Sequence, residues 1–246
     1  MSFERSIGPA AEPAPAPGLV GSDVAGAAGV SPAMRLQILS TEHWSLLASR
    51  SLAWNESFSR AGMFLSTLSG AIVALALVAQ ASEFGEGFRL FGLVILPVVL
   101  LVGIGTVLRM GISNYHDAMC VVGMNRIRAG YLELAPDLDR FFVMGTTDDE
   151  RGVDLTMAIQ ARTSMLVRML ASTPLLVTIL NSILVAAILA LLLLQLGGGT
   201  AVALLLGTVG FVATLGGFFW YAGRDIARAV SEFQPKFPAS PPSDEA

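Results

Sequence analysis

Acid–base chemistry needs an imidazole and a carboxylate that face one another, and this chain has two histidines, His43 and His116. Each has an acid beside it in sequence, Glu42 and Asp117. Adjacent residues on a helix point about 100° apart, so neither pair forms a relay on its own element. Cys120 is the only cysteine, which excludes an intrachain disulfide and a multi-cysteine metal site. The acids Asp148, Asp149, Glu150 and Asp154 are the densest group of hard oxygen ligands, but they lack the Asp-x-Asp-x-Asp-Gly spacing of a calcium loop. Thr147-Asp148-Asp149-Glu150 instead matches a helix capping box, a Thr followed three residues later by Glu. No glycine-rich phosphate loop follows a strand pattern. These residues predict no catalytic set, no cofactor and no metal, and the chain is expected not to be an enzyme.

The elements that would position such residues are of another kind. From Met169 to Gly223 there is no Asp, Glu, Lys or Arg. One bilayer crossing needs about 20 apolar residues, so this stretch is long enough for two. Gly197-Gly198-Gly199 interrupts it near the middle, where a tight reversal needs residues free to take φ > 0. Two further charge-free runs lie upstream, 61–82 and 90–108. The chain is 54% hydrophobic and 14% charged, against about 25% charged for a soluble domain. The fold class is therefore all-α: a polytopic membrane protein with four transmembrane helices and long helical extensions.

Taken in order, residues 1–33 are dominated by Ala, Pro and Gly and read as a disordered cytoplasmic arm, not a signal peptide. Ser31-Pro32 suits a helix start, and Ser40 is a second candidate start. Residues 34–60 form a cytoplasmic or interfacial amphipathic helix. Its Trp44, Leu47, Ser51, Trp54, Phe58, Ala61 and Leu65 recur at alternating spacings of three and four, which places them on one seam. The first hairpin covers 61–108, with spans 61–82 and 90–108. The helix of the second span runs on past Arg109 to Ala135-Pro136. Residues 109–173 make a helical hairpin outside the membrane, with Phe141-Phe142 as an anchor. Its second helix is expected to run from Thr147 with Leu155, Ile159, Leu166 and Met169 inward, and Pro174 bends it into the next span. The second hairpin covers 174–222, with spans 174–196 and 201–222. Residues 223–246 are a tail, unstructured from Pro235 onward.

Within the spans, Ser66, Gly70 and Ala74 recur every four residues, a small-residue face where helix backbones can approach closely. Gly207 and Gly210 are small residues of the fourth span, and Asn181 is the one amide deep in the third. These six are candidate helix-packing residues. Pro97 and Pro174 are candidate hinges. Trp44, Trp54 and Phe58 are a candidate docking face. The spans hold no acid or base, which argues against proton relays and voltage sensing.

Arg89 is the only basic residue in either hairpin loop. Arg50, Arg60, Arg109, Arg126, Arg162, Arg168, Arg224 and Arg228 lie near span ends on the other side. By the positive-inside rule both termini and the 109–168 segment are cytoplasmic, in a plasma or inner membrane. There is no basic stripe and Lys236 is the only lysine, so nucleic acid is not an expected partner.

Thr41-Glu42-His43-Trp44 through Arg60, and Asn125-Arg126-Ile127-Arg128 through Tyr131 to Phe142, resemble stretches of uncharacterised bacterial multi-pass membrane proteins with cytoplasmic helical extensions. The layout of 40–230 is also weakly similar to SLATT-type domains, with four spans where that pattern has two. That resemblance implies membrane hairpins joined to cytosolic helices and a pore-forming effector role. It carries over no site residues.

The expected function is a homo-oligomeric, pore-forming or channel-like membrane protein. The alternative is a scaffold or sensor that docks a cytoplasmic protein through its amphipathic helices. The expected partners are the lipid bilayer, further copies of the chain and a cytoplasmic protein. The topology makes a first prediction. A cysteine placed at Arg140 in intact cells reacts with a membrane-impermeant maleimide only after the membrane is opened; labelling from outside would reverse the orientation.

Overall fold

The computed structural model describes residues 30–157 and 172–239, and they form an all-helical array. Helix α1 (Pro32–Ser82, 51 residues) and helix α2 (Glu86–Leu134, 49 residues) make one long antiparallel hairpin. At ~1.5 Å per residue each is about 75 Å long, more than twice a hydrocarbon core of about 30 Å. A 3-10 turn (Pro136–Phe141) and a short α3 (Glu150–Thr156) follow. Then come α4 (Thr173–Gln195) and α5 (Thr200–Glu232). Four of these helices, α1, α2, α4 and α5, are long and apolar enough to cross a membrane.

Local chemistry sets most of the ends. The Ser31 hydroxyl accepts from the Met34 amide and Pro32 fills the first turn, so α1 starts where a cap and a preset φ coincide. Helix α1 runs on unbroken through Ser40, which is no second start, because nothing between 32 and 82 frees a backbone group. Helix α2 begins at Glu86, earlier than the first charge-free residue suggests, and leaves a loop of Glu83, Phe84 and Gly85. Glu83 and Phe84 both sit at left-handed φ, 49° and 57°, a strained way to reverse a chain that the flanking helices enforce. Gly197 meets the same need without strain at φ 81°. Ala135-Pro136 ends α2, and Pro97 lies inside it without ending the helix.

Pro174 does not bend a continuing helix. Ser172 has extended backbone angles, its hydroxyl accepts from the Leu175 amide, and Pro174 occupies the first turn of α4. The cap of α3 also differs from the capping-box expectation. Asp149, not Thr147, receives the Gly152 amide at 2.9 Å, and the Thr147 hydroxyl donates to Asp149. Either residue can cap; the tertiary partners of Thr147 decide it. Leu155, expected inward, is exposed. Ile159, Arg162, Leu166, Arg168 and Met169, like residues 1–29 and 240–246, lie outside the described residues.

The core is a three-helix seam. Phe64, Leu68 and Ala71 of α1, Leu96, Val99 and Met110 of α2, and Val177 and Leu184 of α4 form one buried cluster. Helix α2 is the central member, and its glycines receive its neighbours. Leu46 and Leu39 of α1 fill the places where Gly123 and Gly130 would carry a Cβ, and Leu75 and Leu191 converge on Gly92. The pairing of Gly92 with Leu191 and of Gly103 with Asn181 makes α2 and α4 antiparallel, so both hairpin turns lie at the same end. Helix α5 packs on α4, through Ala203, Gly207 and Gly210, and on no other described helix to a comparable extent.

Asn181 is buried against α2, and its Oδ1 has no hydrogen-bond partner among the described residues. A methyl group on Gly103 would coincide with that oxygen. The oxygen therefore rests against the Gly103 Cα, the geometry of a weak Cα–H···O contact between helices. Gly103→Ala is expected to destabilise the bundle by about 1–3 kcal/mol through overpacking against Asn181 and Phe64. Unfolding in detergent with increasing SDS measures this, and an unchanged midpoint would refute the close approach.

Candidate functional site

The end opposite the hairpin turns carries the ordered polar structure of the molecule. It is built on the last turns of α2, where Asn125 is fully buried. The Asn125 amide nitrogen donates to the Thr147 carbonyl at 2.8 Å. Its oxygen accepts from Arg128 at 2.8 Å and from the Thr156 hydroxyl at 2.7 Å, and Thr156 in turn accepts from the Gly145 amide. One amide thus ties α2 to both ends of the 145–156 segment. Gly145 and Gly152 pack so closely that a Cβ on either would strike the backbone opposite. Polar groups this deeply buried are costly when left unpaired, so the network holds the segment in one arrangement.

Asp148 is the centre of a second arrangement. Its side chain is 0% exposed. Arg126 Nε donates to Oδ2 at 2.7 Å. The amides of Lys236 and Phe237 donate to Oδ2 and Oδ1, each at 2.8 Å, and the Asp148 amide donates back to the Phe237 carbonyl at 3.2 Å. Asp149 Oδ2 accepts from the Ala239 amide at 3.0 Å. The Arg126 guanidinium also lies 5.8 Å from the Phe233 ring. Residues 233–239, which follow α5, therefore cross the head as a non-helical strap that bends at Lys236 and Phe237. For residues 235–239 this corrects the expectation of an unstructured tail from Pro235; 240–246 lie outside the described residues. Pro235 and Pro238 stop the helix and stiffen the segment, but its acceptors are distant in sequence and no local pattern reveals them.

The acids respond accordingly. Burial pushes the Asp148 carboxyl up, but the Lys236 amide, Arg126 and the Phe237 amide outweigh it and hold it below the usual range. The Ala239 amide is the main cause that lowers Asp149. His43, stacked on Tyr131 at 6.0 Å, is held low by burial and by Arg128. Tyr131 stacks in turn on Phe142, while Phe141 is exposed.

Nearer the spans, charges join α1 to α2. Asp117 Oδ1 accepts from Arg50 at 2.6 Å and from the Trp54 indole at 2.9 Å. Glu56 takes a two-pronged contact from Arg109 at 2.8 and 3.0 Å and one from Arg60 at 3.0 Å. Arg109 first and Arg60 second lower the Glu56 pKa to about 2. Asp117 is thus engaged by α1 and not by His116, which lies 3.9 Å from the Cys120 sulfur. Burial raises the Cys120 thiol, which weakens it as a nucleophile. Among the described residues no group of three or more His, Cys, Asp and Glu is placed to hold a metal ion.

The other candidates fall as follows. Trp44, Trp54 and Phe58 are exposed, at 70%, 50% and 57%. Ser66 and Gly70 face outward, with no atom within 4 Å of a Cβ built on Gly70, and Ala74 is half-buried. Within the chain α1 packs through Ala61, Phe64, Leu68 and Ala71 instead. Gly207 and Gly210 are buried against α4. The hydroxyls of Thr67, Ser82, Thr106, Thr178, Ser182, Thr208 and Thr214 all donate to carbonyls of their own helix.

These features define an all-helical protein with four helices able to cross a membrane and a polar head. No family model matches the chain, and neither a curated protein nor a solved structure matches it.

The head is expected to be acid-sensitive. Asp148, Asp149 and Glu56 are all lowered in the folded state, so their contribution is present above their ordinary values, 3.8 for Asp and 4.5 for Glu, and is lost as pH falls through the lowered ones. Exchange protection of the Lys236, Phe237 and Ala239 amides, corrected for intrinsic rates, should be flat from pH 7 to 5 and fall only as pH drops below the ordinary Asp value of 3.8. Protection that persists unchanged at pH 2 would refute the carboxylate anchor.

Proposed function

We propose that this chain is a homo-oligomeric, channel-like protein of a plasma or inner membrane, with both termini and the head in the cytoplasm. One observation carries the reading. From Trp44 to Ala81 every fully exposed position of α1 is uncharged. That surface is about 57 Å long at ~1.5 Å per residue, roughly twice the hydrocarbon thickness. The charged residues in this stretch, Arg50, Glu56 and Arg60, are partly buried and engage α2 or one another. A helix in water does the reverse. Lipid covers about half of this surface, and the rest needs protein.

The membrane half of the same face supports a copy of α1 as the cover. Gly62, Ser66, Ser69 and Gly70 are exposed there. Small residues let a second helix approach closely, and the Ser66 and Ser69 hydroxyls, without a hydrogen bond among the described residues, suit a partner better than hydrocarbon. An occupant that covers both halves must itself cross the membrane and extend beyond it. With the back-bonded hydroxyls of the spans facing no lumen inside one chain, any conduction path lies on the axis between copies.

Trp54 supports a second reading, a scaffold or sensor for a cytoplasmic protein. Its indole is pinned by Asp117 while its ring remains half exposed, a pre-ordered aromatic anchor of the kind that dominates docking surfaces. Light scattering in detergent and oxidative crosslinking of Ser66→Cys in membranes test the first reading. The expected result is a defined oligomer with a crosslinked α1 pair, and flux in liposomes lost on Ser66→Leu. A monomer without crosslinks or flux overturns it, and a soluble protein captured by the wild type but not by Trp54→Ala would then support the second.

A further inference from the structure

Between Pro235 and Ala239 the strap owns three backbone N–H groups, because the two prolines have none. All three, those of Lys236, Phe237 and Ala239, donate to Asp148 or Asp149. The acceptor side is equally complete. Asp148 uses both oxygens, is backed by Arg126, and returns its own amide to the Phe237 carbonyl. The recognition is therefore of a bent backbone with prolines on either side of a two-residue window, not of particular charged side chains. The seat is built without the strap's help: Asn125 and Thr156 hold the 145–156 segment on α2, and Gly152 and Thr147 orient Asp149.

We propose that Arg126, Asp148 and Asp149 form a binding site for a bent, proline-bracketed peptide backbone, whose resting occupant is the chain's own Lys236–Ala239, and that this seat is a releasable latch on the head end of α5. Among the described residues helix α5 is otherwise held through α4, and the strap is a second attachment. Release leaves the α2–α4 core intact and frees the end of α5. An incoming peptide with the same spacing of amides and prolines displaces the strap. This latch does not depend on the oligomeric reading above.

Lys236 is the only lysine in the chain, so a lysine-specific protease has a single site, the Lys236–Phe237 bond, both of whose residues are clamped by Asp148. In the full-length protein in nanodiscs, cleavage is expected to be at least 100-fold slower than in a free peptide of residues 230–242. Asp148→Asn should speed it at least tenfold. Ala239→Pro removes one donor without touching the head and should speed it several-fold. Excess peptide of residues 233–239 carrying Lys236→Arg, which the protease ignores, should accelerate cleavage of the wild type by competing for the seat. Hydrogen exchange should show loosening of 224–239 in Asp148→Asn with α2 residues 114–134 unchanged. The proposal is overturned if the wild type is cut as fast as the free peptide. It is equally overturned if the competitor has no effect, or if Asp148→Asn loosens α2 together with the strap.

Discussion

A charge facing hydrocarbon is costly, and a charge facing another helix can be paired; α1 is arranged around that difference. Its Arg50 and Glu56 point to α2, and its Trp44, Trp54, Phe58, Ser66 and Gly70 point away. The pairs Arg50–Asp117 and Glu56–Arg109 set the register of the long hairpin at its middle, and leucines set into α2 glycines continue that register toward the head. Partly exposed ion pairs contribute at most about 1 kcal/mol each. Their weight is in alignment, since a one-turn slip would leave two acids and two arginines unmatched beside an apolar surface. The apolar cluster around Phe64, Val99 and Val177 supplies the stability that the alignment then directs.

The same logic makes α2 the axis of the molecule. It touches α1 along its length, α4 through the membrane region, and the 145–156 segment at its end. Position is therefore transmitted along one rigid element from the spans to Asn125, Arg126 and Arg128. The strap then closes a ring of contacts: α2 to Asp148, Asp148 to residues 236–237, those to α5, α5 to α4, and α4 back to α2. A ring closed by hydrogen bonds at one point and by apolar packing elsewhere opens first at the hydrogen-bonded point.

What could be read from residue order was what is local. Charge-free runs mark helices that can cross a membrane, Ser31-Pro32 marks a start, Ala135-Pro136 a stop, and Gly197 a reversal, because each depends on a few neighbouring atoms. The seam from Trp44 to Leu65 was visible as a period, but a period gives a face and not what the face meets. Ala61 lies on that seam by spacing and is nonetheless buried against the core, while its neighbours in the pattern are exposed. The Asp149 cap was missed because Thr147 is an equally good cap former, and only Asn125, 22 positions away, takes its carbonyl. The strap was missed for the same reason. Pro235 and Pro238 look like any loop until Asp148 supplies acceptors 88 and 89 residues away.

The strap also differs in kind from the rest of the backbone. Inside the membrane a helix must satisfy its own N–H groups, because nothing else will. Beyond α5 that compulsion ends, since water can serve the amides of 236, 237 and 239 as well as a carboxylate can. Drawing them onto a fully buried Asp148 therefore gains little in hydrogen bonding and costs desolvation of the acid, which Arg126 and the strap together offset. The arrangement makes sense as positioning: a buried carboxylate with directional partners fixes where the strap lies, and with it the end of α5, far more sharply than apolar contact would.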